Sequence, residues 1–135
     1  AASDVYKRQD TDVLIDFLAG AAPAAARVAA ELERGSLCTT AISRFELLSG
    51  VRNARQEAAV KLLLAAVSTL PLDEEAADRA AEVRRSLERS GEAIGMADSL
   101  IAGIALARGG TLFTRNRRHF DRVAGLRLAD LPPDP

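Results

Sequence analysis

Apolar residues along the chain recur mostly three or four apart, the spacing of one helix face, and this pattern is broken by short apolar runs set between turn residues. Val13, Leu14, Phe17 and Leu18 predict one face of a short helix ending at Gly20, and Pro23 opens a second that reaches about Arg34 before Gly35. Ser36 to Thr39 reads as a strand, and Thr40 as the cap of a helix carrying Ile42, Phe45, Leu47 and Leu48 up to Gly50. A helix over 54–67, a strand at Thr69 to Leu72 and an Asp73-capped helix through Ala76, Ala80, Val83 and Leu87 to Ser90 and Gly91 follow. Glu92 to Met96 reads as a loop, Ala97 to Arg108 as a strongly apolar helix stopped by Gly109 and Gly110, and Thr111 to Thr114 as a buried strand. A helical turn over 117–122, a last strand at Leu126 to Leu128 and a disordered tail at 132–135 complete the pattern.

Strands separated by helices need crossover connections, so the expected fold is α/β: three layers, with a short, mostly parallel sheet covered by helices. Alanine makes up about a fifth of the chain, which favours the helices. A length of 135 residues accommodates one domain, expected over 10–131. The longest uncharged stretch, Leu62 to Leu72, contains Pro71 and falls well short of the roughly 18 apolar residues of a membrane span. A single cysteine, Cys38, excludes an internal disulfide and reads as a small buried hydrophobe; no leader pattern is seen, so the expected location is the cytoplasm.

The net charge of −1 gives no general argument for a nucleic-acid partner, but the charge is unevenly placed. Arg115, Arg117, Arg118, Arg122 and Arg127 stand against Asp121 alone in the segment 111–127. A solvated helix end is the ordinary reading of such a cluster, and an acidic site beside it changes that reading.

In open parallel sheets ligands gather at the carboxyl ends of the strands. Asp10, Glu46, Asp98 and Asn116 are the polar residues expected at that end. Glu46 and Asp98 lie on helices whose other faces are apolar, where a carboxylate persists only if it is paired, hydrogen-bonded or bound to a cation. Hard oxygen ligands without Cys or His pairs point to Mg²⁺, with Mn²⁺ as a substitute, rather than to zinc or copper. Such a cation activates water for attack on phosphorus, and the neighbouring arginines would then hold phosphates.

Four segments together carry a family resemblance. Asp10-Thr-Asp-Val-Leu-Ile-Asp16, Thr40-Ala-Ile-Ser-Arg-Phe-Glu-Leu-Leu-Ser-Gly50, Met96-Ala-Asp-Ser-Leu-Ile-Ala-Gly103 and Leu112-Phe-Thr-Arg-Asn-Arg-Arg-His-Phe120 resemble, in order and spacing, the PIN-domain ribonuclease toxins of bacterial VapBC toxin–antitoxin modules. The resemblance implies a metal-dependent endoribonuclease with Asp10, Glu46 and Asp98 as the metal-binding acids. It also implies a homodimer and a VapB-like antitoxin whose C-terminal segment lies over the pocket. Thr114, Thr39 and Asp12 are assigned supporting roles, and Arg115, Arg117, Arg118 and His119 are assigned to RNA. The fourth pocket position is Asn116 and the position three further on, which can be acidic in relatives, is His119, so one metal is expected rather than two.

Two rival functions have distinct signatures. An aspartate-nucleophile phosphatase would fit Asp10-Thr-Asp12 but wants a phosphate-holding lysine, and the only lysines are Lys7 and Lys61. A PIN-like domain that binds RNA or protein with little or no cleavage is the alternative that Asn116 leaves open. The amino terminus departs from the expected pattern: the first strand should be apolar, yet residues 1–9 read Ala-Ala-Ser-Asp-Val-Tyr-Lys-Arg-Gln. This segment resembles adapter sequence translated at the end of an environmental fragment, and it is expected to be non-native or an atypical first strand.

Overall fold

The computed structural model describes residues 7–9, 37–109, 111–113 and 117–128. Five short strands form one sheet: β1 (Lys7–Gln9), β2 (Leu37–Thr40), β3 (Ser68–Leu70), β4 (Thr111–Phe113) and β5 (Arg127–Leu128), in the spatial order β3-β2-β1-β4-β5. Every pairing is parallel. The helices between them are α1 (Ala41–Ser49), α2 (Ala54–Ala66), α3 (Glu74–Arg89), α4 (Met96–Arg108) and the single turn α5 (Arg117–Phe120). This is the α/β fold with a short parallel sheet that the alternation implies. The helices expected over 13–34, and the tail at 132–135, lie outside the described residues.

Local chemistry sets the helix ends. Thr40, Asn53 and Asp73 each accept a hydrogen bond from the backbone N–H three residues on, giving α1, α2 and α3 their N-caps. At the end of α3 the Gly91 N–H donates to Glu88 O and the Glu92 N–H to Leu87 O, with Gly91 at φ 71°. That is a Schellman turn, whose left-handed residue favours glycine. Several boundaries differ from the sequence reading by one or two residues, three of them for a local reason or at a helix end. β3 stops at Leu70 because Pro71 has no N–H for the ladder; α4 starts at Met96, from Gly95 with no side-chain cap; and α5 ends at Phe120, two residues early.

Among the described residues two apolar clusters hold the layers. The larger joins Val83 and Leu87 of α3, Ile101 and Ala102 of α4, Leu112 of β4 and Phe120 of α5, together with Ile94 and Val123. The smaller joins Leu47 of α1 to Val60, Leu63 and Leu64 of α2. α3 and α4 approach closely because α4 presents Gly103 to Ala76 and Ala80: a Cβ on Gly103 would fall 2.5 Å from the Ala76 carbonyl oxygen. Arg108, at the end of α4, pairs with the carboxylate of Asp73, tying the end of one helix to the start of the other. No helix among the described residues is long and apolar enough to cross a membrane.

β1 occupies the centre of the sheet, despite its polar sequence. Arg8 stands in register between Cys38 of β2 and Leu112 of β4, and both of those side chains are buried.

Candidate active site

Because all strands are parallel, their carboxyl ends form one edge. Gln9, Thr39 and Phe113 make one row across β1, β2 and β4, and the chain next reaches Asp10, Thr40 and Thr114. Thr40 passes from β2 directly into α1, its hydroxyl accepting from the Ser43 N–H at 3.1 Å. α1 carries Glu46 in its second half and α4 carries Asp98 in its first turn, and these helices pack against each other. Both acids are half-buried. The first-turn position of Asp98 places it where the helix dipole favours an anion.

His119 of α5 reaches Asp98, its Nδ1 lying 3.0 Å from Oδ2. An ionised carboxylate only accepts, so Nδ1–H is the donor in this contact. Phe120, the next residue, is completely buried in the larger core cluster and anchors α5. On the other side of Asp98, Ser99 donates its hydroxyl to Gly95 O and Ile101 is buried, so the first turn of α4 is held as well.

Thr39 is fully buried, and its Oγ1 has no hydrogen-bond partner among the described residues. It therefore neither caps α1, which Thr40 does, nor bonds Glu46 or Asp98. A buried hydroxyl without a partner is destabilising by about 1–3 kcal/mol, which marks this edge as a place where a polar group belongs. A cavity of about 460 Å³ is lined by Arg79, Glu82, Ser86, Leu106, Arg122 and Gly125 among others, and neither Glu46 nor Asp98 is among its described lining residues.

Residues 9–126 match the PIN domain family. The chain belongs to that family. Its relatives include the tRNA(fMet)-specific endonuclease VapC of Shigella flexneri, 33% identical over 125 residues that cover 90% of this chain and 94% of the relative. Ribonuclease VapC10 of Mycobacterium tuberculosis (strain H37Rv) is 36% identical over 111 residues, covering 82% and 83% of the two chains. Among solved structures, DNA-bound VapBC from Salmonella typhimurium superposes with a TM-score of 0.83 at 29% identity, over 93% of this chain and 97% of that one. The resemblance in the four segments is thus that of a VapC-type PIN domain.

In this PIN domain Glu46 and Asp98 lie on helices that pack against each other. Asp10, Asp12, Thr114, Arg115 and Asn116 lie outside the described residues. Among the described residues no three His, Cys, Asp or Glu side chains converge closely enough to hold a metal ion. Arg117 is half-buried and Arg118 exposed on α5, close in sequence to His119. The contact the sequence reading missed is His119 to Asp98. A histidine next to a core phenylalanine on a one-turn helix was its only signal, and that pattern names no partner 21 residues away.

Proposed function

We propose that this PIN domain is an endoribonuclease toxin that hydrolyses RNA phosphodiester bonds and is neutralised by a VapB-like antitoxin. What carries the reading is the placement of Glu46 on the helix that leaves the carboxyl end of β2 and of Asp98 in the first turn of the helix packed against it, in a chain whose relatives are named endonuclease and ribonuclease. The edge offers oxygen donors of the type that suits Mg²⁺ or Mn²⁺, and the Thr39 hydroxyl, without a partner among the described residues, adds a buried polar atom there. Glu46 and Asp98 would hold the cation together with Asp10, the residue after β1 in the sequence. When bound, the cation supplies water activation and neutralises charge on the leaving oxygen.

The remaining roles fall to residues of this chain. Arg117 and Arg118, with Arg115 before them in the sequence, provide positive charge for the RNA backbone, and Asn116 and Thr114 orient an acid or water. The antitoxin reading is supported by the likeness to the Salmonella VapBC structure. It is supported too by Phe45 and Met96, large apolar side chains each 64% exposed and set within two residues of Glu46 and Asp98. The protein is proposed to act as a homodimer.

The test is cleavage of a structured-RNA pool by the purified chain in Mg²⁺ or Mn²⁺, beside EDTA and Asp98→Asn arms. Discrete cuts that need the cation and fall at least about a hundredfold in the variant are expected. RNA that is bound but left whole by the wild-type chain would reject the enzyme and leave a PIN-fold binding domain. Cuts that persist in Asp98→Asn would reject the site.

A further inference from the structure

We propose that His119 is a positioning residue, which holds the Asp98 carboxylate in a fixed orientation by donating Nδ1–H to Oδ2. The inference deepens the proposed function and rests on Asp98 being a cation ligand. The 3.0 Å contact crosses 21 residues of sequence to join α5 to α4. It sits in partial shelter, the Asp98 side chain 24% exposed and that of His119 39%, so water competes less well for it than at an open surface.

Both ends of the contact are fixed by the core rather than by each other. His119 precedes the fully buried Phe120, and Asp98 precedes Ile101 and Ala102, which belong to the same apolar cluster. The two helices can therefore hold donor and acceptor in register with or without a ligand. A carboxylate has one soft torsion at its end and can chelate with both oxygens or donate with one. Engaging Oδ2 removes a rotation that would otherwise be lost on binding. Partners that orient a metal ligand from behind in this way typically change affinity ten- to a hundredfold when removed.

The test is Mn²⁺ binding by the full-length chain without RNA, read from the electron paramagnetic resonance signal of the free ion, in wild type, His119→Ala, His119→Asn and Asp98→Asn. Wild type is expected to bind, and His119→Ala to bind about tenfold more weakly. His119→Asn, whose amide N–H can still reach Oδ2, should stay within about threefold of wild type. Thermal midpoints of the two His119 variants should match wild type, since the side chain is partly exposed. His119→Ala that binds as tightly as wild type, while Asp98→Asn is weakened, overturns the positioning role alone. His119→Asn as weak as His119→Ala shows that the ring and not the hydrogen bond matters, and also overturns it. Asp98→Asn equal to wild type removes the assignment of Asp98 as a ligand, and the inference falls with it.

Discussion

Gly103 is the position at which the packing of two helices and the geometry of the candidate site are tied together. A methyl group there would lie 2.5 Å from the Ala76 carbonyl oxygen and 2.6 Å from both N and Cβ of Ala80. Ordinary contacts between such atoms are about 3.5 Å, so α4 would have to move away from α3 by close to an ångström. Two of the three opposing atoms are backbone, and no flexible side-chain tip can yield. Overpacking of this kind falls at the upper end of its range, about 3 kcal/mol, while alanine recovers about 1 kcal/mol of helix propensity. The net destabilisation of Gly103→Ala is therefore about 2 kcal/mol. With 135 residues and an unfolding entropy of about 2.1 cal/mol/K per residue, the midpoint should fall by about 7 °C.

The assay is thermal unfolding followed by circular dichroism, with urea titration as a check, on Gly103→Ala, Ala80→Gly and the double variant. Ala80→Gly removes the opposing Cβ but leaves both backbone atoms in place, so it should restore less than half of the loss. A second readout follows from position: Asp98 lies five residues before Gly103, about 7.5 Å along the helix axis. A shift of α4 would stretch the 3.0 Å contact with His119 beyond hydrogen-bonding range. Gly103→Ala should thus lose Mn²⁺ affinity even well below its midpoint. A midpoint equal to or above that of wild type would refute the packing argument, since propensity would then outweigh the close approach.

Two further perturbations test the frame. Asp73→Ala removes both the cap on Ala76 and the pair with Arg108; the cap is worth about 1 kcal/mol and the half-exposed pair at most about as much again. Asp73→Asn keeps the cap, so its midpoint should lie between those of wild type and Asp73→Ala, and equal losses in the two variants would assign the whole effect to the pair. Arg8→Val puts a strand-favouring apolar residue at the register position between Cys38 and Leu112 in the central strand, and should raise the thermal midpoint. A lower midpoint would show that the charged strand is well accommodated and would count against residues 1–9 being foreign to the fold.

The features legible in the sequence are those that depend on near neighbours along the chain. The caps at Thr40 and Asp73, the stop at Gly91 and the apolar face of Ala76, Ala80, Val83 and Leu87 each follow from residues within one or two helical turns. The alternation of strands and helices implies a parallel sheet, and a parallel sheet has one carboxyl edge, which is what makes Glu46 and Asp98 candidates from sequence. Tertiary structure decided what depends on distant segments meeting. Thr39 and Thr40 are adjacent and chemically identical, yet one hydroxyl caps a helix while the other is buried with no partner among the described residues. Successive strand residues point to opposite faces, and only the layers packed on those faces determine which hydroxyl finds a donor. A glycine inside a helix has a propensity cost of about 1 kcal/mol, and the packing that calls for it at Gly103 comes from Ala76 and Ala80 on another helix. From the sequence His119 is assigned to RNA, and its contact with Asp98 appears only once Phe120 fixes α5 in the core. A hydrogen bond across 21 residues leaves no periodicity in the sequence, because its geometry is set by the core between its ends.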